Sequence, residues 1–156
     1  MNCVALETER LRLYVASQAE MEQLIERQTD GELKKAYQEM LDGCLAHPKQ
    51  GEWYAIWLVT RHDRVQVGDL SFKGLNEDGS VEIGYGIKDE FQGQGYATEA
   101  VRAAVDWALN QDGVLCVEAE AEPDNKVSQR VLAKCGFVLN GIVGEEGPRF
   151  VRKHNQ

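Results

Sequence analysis

The chain has 156 residues, 43% of them hydrophobic, which fits one domain over residues 1–156 with a single core. Its formal net charge of −9 would repel a phosphate backbone, which argues against nucleic acid as a partner and suits a cationic ligand such as an amine. No apolar run reaches the roughly 18 residues of a membrane span, and residues 1–12 carry charges where a signal peptide is apolar, so the sequence predicts a cytoplasmic protein without a membrane partner.

The N-terminal part predicts one strand followed by two helices. Leu11–Val15 alternates apolar and polar residues in the manner of a strand. Ser17 and Glu20 have the spacing of a helix capping box, which predicts a helix over Gln18–Arg27. Apolar residues then recur at helical spacing over residues 31–47, which predicts a second, amphipathic helix.

The middle of the chain predicts a meander of strands. Residues 53–60 and 65–72 are rich in β-branched and aromatic residues, and the polar residues between them predict a hairpin. Residues 81–87 form the next strand, and its two faces differ in chemistry. One face is apolar, with Val81, Ile83, Tyr85 and Ile87, and the other carries Glu82, Gly84 and Gly86.

In the second half, strands alternate with helices. A helix with a stripe of small residues runs to about Leu109, and residues 114–121 predict a strand. Residues 125–135 predict another helix, which Gly136 closes, followed by a strand over residues 137–143 and a last edge strand over residues 149–153. Together these elements predict a mixed α/β sheet with helices on both faces.

A glycine-bearing loop joins the strand over residues 81–87 to the long helix. Its glycines allow the backbone to approach a ligand closely, and the first amides of the helix lack partners within the helix. Because the helix dipole adds partial positive charge at this end, a pyrophosphate is the matching ligand; the alternative is a loop that only connects strand to helix. The loop consists of Gln92, Gly93, Gln94, Gly95, Tyr96, Ala97 and Thr98.

Two other nucleotide motifs fit this loop less well. It is not a Walker loop, because no Lys-Ser or Lys-Thr pair follows the glycines. Gly93 and Gly95 match the start of a dinucleotide fingerprint, but Thr98 occupies the third glycine position, and the loop follows a meander instead of opening a series of βαβ units. A nicotinamide-dependent oxidoreductase therefore stays the weaker alternative.

Two motifs resemble the GNAT superfamily of N-acetyltransferases. Gln92, Gly95 and Ala97 match its Q/R-x-x-G-x-G/A signature. Asn125-x-x-Ser128, continuing to the Gly-Phe pair at residues 136–137, resembles its later coenzyme A-binding segment. Residues 7–13 and 81–85 also resemble the subgroup that includes ribosomal-protein N-terminal acetyltransferases, so the resemblance covers nearly the whole chain.

The resemblance implies a mixed, mostly antiparallel sheet of six to seven strands with helices on both faces, an α/β (α+β) fold. It also implies transfer of an acetyl group from acetyl-CoA, as co-substrate, to a primary amine of a peptide N-terminus or a small molecule by direct attack. The loop of residues 92–98 would hold the pyrophosphate. The pantetheine would lie between residues 81–87 and 114–121, where Gly84 and Gly86 leave room.

Amide formation needs a base for the amine, a group that polarises the thioester carbonyl and an acid for the thiolate. Glu82 is the candidate base, acting through water, because a carboxylate beside a cavity can have a raised pKa. Glu118 and Glu120 form a second acidic face that could hold a cationic acceptor or replace Glu82. All three glutamates also fit an ordinary solvated sheet face.

The resemblance supplies the other roles. It implies that the backbone amide of Ile87 polarises the carbonyl. Many relatives protonate the thiolate with a tyrosine at the position that Leu132 occupies here, so Ser128 is the candidate acid instead. Asn125 either contacts the pantetheine or caps the helix. Without that tyrosine, a catalytically idle coenzyme A-binding sensor or scaffold is the alternative function.

The cysteines and histidines predict no metal site. Neither residue type shows the paired spacing of metal ligands, and reduced cytoplasmic thiols are the simpler interpretation of the cysteines. The sequence leaves open whether the protein is a monomer or a homodimer paired through its late strands. The residues concerned are Cys3, Cys44, Cys116, Cys135, His47, His62 and His154.

Overall fold

A computed structural model describes residues 4–153; Cys3 and His154 lie outside the described residues. Eight strands form one sheet in the order β1-β2-β3-β4-β5-β6-β8-β7. All neighbouring strands are antiparallel except β5 and β6, which are parallel. The strands are β1 Ala5–Glu7, β2 Leu11–Val15, β3 Ile56–Arg61, β4 Gln66–Leu75, β5 Ser80–Ile87, β6 Cys116–Glu120, β7 Val138–Val143 and β8 Pro148–Lys153.

Helices cover both faces of the sheet. Ile56 and Leu58 of β3 point towards the first two helices, whereas the alternate residues Trp57 and Val59 point towards the fourth and fifth. The mixed, mostly antiparallel α/β fold is therefore confirmed. The helices are α1 Gln18–Arg27, α2 Gly31–Ala46, α3 Gly51–Tyr54, α4 Tyr96–Leu109 and α5 Lys126–Lys134, and a 3-10 turn covers Asp89–Phe91.

The helix N-termini divide into capped and uncapped ends. The capping box of Ser17 and Glu20 is present at α1, Asp30 caps α2, and Asn125 caps α5. At α4 the N-cap is Gly95, which makes no side-chain cap hydrogen bond. The four-residue α3 also lacks a capping side chain, so α4 is the long helix in residues 4–153 that begins without one.

Three predictions about strands are wrong. The sheet has eight strands instead of six to seven, because the three-residue β1 pairs with β2. Trp53 and Tyr54 belong to the short helix α3, not to a strand, and Trp53 packs its ring against Phe72 and Trp107. The last strand, β8, is not an edge strand: it lies between β6 and β7, and β7 forms the edge.

The parallel pair β5 and β6 diverges along its length. Paired residues run from Ser80 and Cys116 to Glu82 and Glu118, yet β5 continues to Ile87. Beyond Glu82 the two strands therefore leave a gap between them. We call this the β5–β6 gap.

None of the helices in residues 4–153 is long and apolar enough to cross a membrane. Within the same residues, no group of three His, Cys, Asp or Glu side chains is arranged to hold a metal ion. Cys44, Cys116 and Cys135 are free thiols.

Candidate active site

The glycine loop lies at the wide end of the β5–β6 gap. Gly93 and Gly95 adopt left-handed backbone conformations, with φ of 78° and 83°. Such conformations disfavour side chains, which explains glycine at both positions. Residues 92–95 are exposed, and Tyr96, the first residue of α4, is buried. The exposed backbone of these residues and the positive end of the α4 dipole suit an anion.

The turn between β1 and β2 holds this loop in place. Arg10 donates from Nη1 to the carbonyl oxygen of Gln94 at 2.8 Å, and its guanidinium lies 4.6 Å from the ring centroid of Tyr96. Glu99, in the first turn of α4, accepts from Nε of Arg10 at 2.7 Å and from Oγ1 of Thr8 at 2.5 Å. Arg10 therefore fixes the loop through its backbone, a ring and a carboxylate at once.

A cavity of about 550 Å³ lies beside Arg10 and Glu99. It runs along one side of α4 from the glycine loop to the end of α5, with basic and acidic side chains in its wall. The residues lining it are Thr8, Glu9, Arg10, Gly95, Thr98, Glu99, Arg102, Ala103, Asp106 and Lys134.

The open edge of β5 presents backbone groups to the gap. Lys88 donates its N–H to Val67 in β4 at 2.8 Å. Because successive residues of an extended strand direct their N–H groups to opposite sides, the N–H of Ile87, and likewise that of Tyr85, points away from β4 and towards the gap. The carbonyl of Ile87 points the same way and accepts from Nε2 of Gln92 at 3.0 Å.

A hydroxyl pair crosses the gap from β5 to α5. Tyr85 Oη and Ser128 Oγ are 2.7 Å apart, and either can donate. Asn125 accepts from the Ser128 amide at 3.0 Å through its side-chain oxygen, so Asn125 acts as an N-cap. Leu132, the position at which the resemblance implies a tyrosine, is fully buried. Burial raises the pKa of Tyr85, which keeps this phenol protonated at neutral pH.

The predicted acidic residues surround one arginine on the opposite face of the sheet. Arg149 of β8 contacts Glu82 at 3.0 Å, Glu118 at 2.8 Å and Glu120. Lys73 of β4 pairs with Glu82 at 2.6 Å. The three glutamates therefore lie together as the partners of two cations.

The expectation that Glu82 has a raised pKa is wrong. Partial burial acts to raise this pKa, but hydrogen bonds from Lys73 and Arg149 outweigh burial and lower it. A lowered pKa makes the carboxylate a weaker base. Glu82 and Ser128 also lie on opposite faces of the sheet. Their assigned roles stay predictions.

A shallow trough runs along the Glu82 face of β5. Gly84 and Gly86 form its floor: a Cβ at Gly86 would meet nothing within 4 Å, and one at Gly84 would meet Lys73 at 3.9 Å. Asp69 of β4 lies directly opposite Gly86 in the register. Tyr37 of α2 donates its hydroxyl to Oδ2 of Asp69 at 2.9 Å. The trough is thus open above its glycines and has a carboxylate at its wall.

Comparison with known proteins bears on this geometry. A family model described as the acetyltransferase (GNAT) domain matches residues 5–138. The chain belongs to the GNAT acetyltransferase family. The matched range contains the glycine loop, both strands that border the β5–β6 gap, and α5.

Relatives of this GNAT chain are found both by sequence and by structure. The uncharacterized N-acetyltransferase YjdG of Bacillus subtilis is 36% identical over 86 residues, which cover 54% of this chain and 51% of that protein. The chain thus spans about half the length of the curated relatives it matches. A ribosomal-protein-S5-alanine acetyltransferase from Vibrio fischeri has a TM-score of 0.77 at 16% identity and covers 98% of each chain.

A second solved structure is that of RimL, a ribosomal L7/L12 alpha-N-protein acetyltransferase, in complex with coenzyme A. It has a TM-score of 0.76 at 16% identity and covers 96% of this chain and 98% of its own. At this identity the likeness shows a shared fold. The GNAT fold of the chain is therefore supported over almost its whole length.

Sequence reasoning assigned no role to three residues of this GNAT site. Arg10 lies in the polar turn between β1 and β2, Asp69 lies in β4, and Arg149 lies in β8. Each contacts partners that are distant in the chain. The acidic residue Asp69 inside a predicted β-rich run is a usable sign, because a charge within a largely buried strand needs a partner.

Proposed function

We propose that this GNAT domain transfers an acetyl group from acetyl-CoA to a primary amine by direct attack. The observation that carries the proposal is the uncapped N-terminus of α4 at the open end of the β5–β6 gap. An anion-binding end and a slot with unpaired strand amides fit the two halves of coenzyme A, a diphosphate and a pantetheine chain. Acetyl-CoA supplies the acetyl group as an activated thioester.

Loop residues 92–98 would hold the diphosphate through their amides. Arg10 keeps the loop in the required shape and adds positive charge next to it. The N–H groups of Tyr85 and Ile87 point into the gap, where they would bind the pantetheine amide and polarise the thioester carbonyl. Asn125 would help by fixing the start of α5.

Ser128 would give its proton to the departing thiolate. Its hydroxyl lies 2.7 Å from that of Tyr85, so the phenol can replace the proton that the serine gives up. This pair takes the place of the single tyrosine at the position of Leu132. The two hydroxyls act as one unit, so both belong to the proposed acid.

The acceptor would approach from the face that carries the trough. The face opposite α4 is open over Gly84 and Gly86, and its carboxylates attract a cation. Glu82, paired with Lys73 and Arg149, is the base that the sequence nominates, with Glu118 and Glu120 beside it. A peptide N-terminus and a small-molecule amine both meet this description, and RimL and the Vibrio fischeri protein are named for ribosomal-protein acceptors.

The experiment is a thiol-release assay with acetyl-CoA and a panel of primary amines, peptides and polyamines. We expect acetyl-CoA-dependent thiol release with at least one amine and formation of the acetylated product by mass spectrometry. Binding of coenzyme A without turnover across the panel would instead favour the idle sensor domain, which the buried Leu132 keeps as the second candidate. The absence of both coenzyme A binding and turnover would refute both candidate functions.

A further inference from the structure

Asp69 differs from the other carboxylates on its face of the sheet. Glu82, Glu118 and Glu120 are each paired with Arg149, and Glu82 also with Lys73. Within residues 4–153, no cation lies in ion-pair contact with Asp69. Its side chain instead accepts a hydrogen bond from Tyr37 at 2.9 Å. Asp69 is therefore the trough carboxylate whose charge the protein leaves to be matched by a ligand.

The position of Asp69 suits an acceptor amine better than that of Glu82. Asp69 pairs across the strands with Gly86, the residue between the two amides that point into the gap. Glu82 lies four residues further along β5, about 13 Å at the usual rise per residue. An amine above Gly86 would thus touch Asp69 while reaching the gap beside Tyr85. A side chain at residue 86 would close that path, and glycine keeps it open.

We propose that Asp69, oriented by Tyr37, binds the ammonium group of the acceptor in the trough above Gly86 and takes its first proton. The inference rests on the proposed function and names the acceptor as a cationic primary amine. It makes Asp69, and not Glu82, the catalytic base, and makes Tyr37 a positioning residue.

The proton and electron balance is as follows. The ammonium loses one proton to the Asp69 carboxylate and becomes a neutral amine. Its lone pair forms the C–N bond with the acetyl carbonyl carbon of the thioester while the C–S bond breaks, and that electron pair leaves on sulfur. The sulfur gains a proton from the Ser128 and Tyr85 pair, and the second proton that the nitrogen loses returns to this pair through solvent. One proton, held by Asp69, is released to solvent after turnover.

The surroundings of Asp69 support this role. Burial raises the pKa of Asp69, although the Tyr37 hydrogen bond and the charge of Lys88 oppose the rise. A raised pKa makes this carboxylate a better proton acceptor than an exposed aspartate. The groups facing it are Tyr37 of α2, which Gln28 also contacts, and Lys88 after β5; its strand neighbour Leu58 in β3 is apolar.

The first test measures binding, so it does not depend on turnover. 1,5-Diaminopentane and spermidine are titrated calorimetrically into the wild-type protein and the Asp69→Asn variant, each saturated with coenzyme A. Wild type is expected to bind at least one diamine, and Asp69→Asn to bind it at least tenfold more weakly. No diamine binding by wild type, or equal binding by both proteins, would overturn the inference. Binding that depends on Asp69 without thiol release would refute the proposed function alone.

The second test measures kcat/KM against pH with the same amines. Asp69→Asn should lower kcat/KM about 100-fold at pH 7, the usual contribution of a general base. Glu82→Gln is the matched comparison, also a carboxylate-to-amide change on this face, and should cost less than Asp69→Asn. Tyr37→Phe should shift the acidic limb of the profile to higher pH, because it removes the bond that lowers the Asp69 pKa. An unshifted limb, or a larger loss in Glu82→Gln, would overturn the assignment.

Discussion

Substituting Gly95 by alanine tests the loop on which the whole assignment depends. Gly95 has φ of +83°, and a Cβ there would lie 3.3 Å from Nη2 of Arg10. A left-handed conformation costs an L-residue about 1–2 kcal/mol. Displacing the Arg10 guanidinium from Tyr96 would forfeit a further cation–π contribution of about 0.5–1 kcal/mol at an exposed site. The two effects together come to about 2 kcal/mol, which corresponds to about 30-fold in a dissociation constant.

We expect this cost to fall mainly on ligand binding. The loop is exposed, so the substituted backbone can relax in the free protein and must return to the left-handed form when the diphosphate binds. Gly95→Ala should therefore weaken acetyl-CoA binding about 30-fold in calorimetry. Gly113→Ala is the matched control: Gly113 also has φ of +83° with nothing within 4 Å of a Cβ, and lies outside the loop.

The control should lower the melting temperature without changing acetyl-CoA affinity. The reasoning would be refuted if Gly95→Ala bound acetyl-CoA as tightly as wild type. It would also be refuted if Gly113→Ala lost affinity to the same extent, because the effect would then reflect general destabilisation.

Three further predictions follow from the same structure. Arg149→Met should lower the free energy of unfolding in urea by about 3 kcal/mol, because it leaves three half-buried glutamates short of a cation. Arg12→Met is the control and should cost much less, because it breaks an exposed ion pair. Equal losses in the two variants would contradict the prediction. Ser128→Ala and Tyr85→Phe should each lower kcat at least about tenfold without changing the affinity for acetyl-CoA. The double variant should have the same kcat as the less active single variant. Additive losses would exclude a shared acid. Asp69→Asn should raise the melting temperature at pH 8, because a raised folded-state pKa means that the ionised form of Asp69 opposes folding. The difference in melting temperature between variant and wild type should shrink as the pH falls below that pKa. A difference that does not change with pH would contradict the prediction.

Much of the fold could be predicted from local patterns. The capping box of Ser17 and Glu20, the amphipathic helix that ends at Ala46, and the two-faced strand β5 all depend on residues within a few positions of each other. The glycine loop could also be located, because Gln92, Gly95 and Ala97 form a short local motif directly before a predicted helix. These features are local, and local sequence determines them.

The errors lie where distant segments decide the structure. Trp53 and Tyr54 have the composition of a strand, but packing of Trp53 on Trp107 of α4 favours a helical turn. The apolar and polar pattern of β8 is the same whether the strand lies at the edge of the sheet or inside it. Its placement between β6 and β7 is therefore decided by the pairing of distant strands.

The candidate site divides in the same way. Glu82 and Ser128 could be nominated from motifs, yet the lowered pKa of Glu82 depends on Lys73 in the neighbouring strand and on Arg149, 67 residues away in the chain. The register of β4 and β5 places Asp69 opposite Gly86, and the packing of α2 brings the Tyr37 hydroxyl to Asp69. A single sequence contains no signal for such pairings, so the groups that decide which carboxylate is the base emerged only from the assembled sheet.

The central claim is that the amides at the start of α4 bind the diphosphate of coenzyme A. Calorimetric titration of the wild-type protein with acetyl-CoA, coenzyme A and NAD tests it most directly. We predict one site per chain for both forms of coenzyme A and no comparable heat with NAD. Absence of heat with either form at millimolar concentration, or tighter binding of NAD, would contradict it.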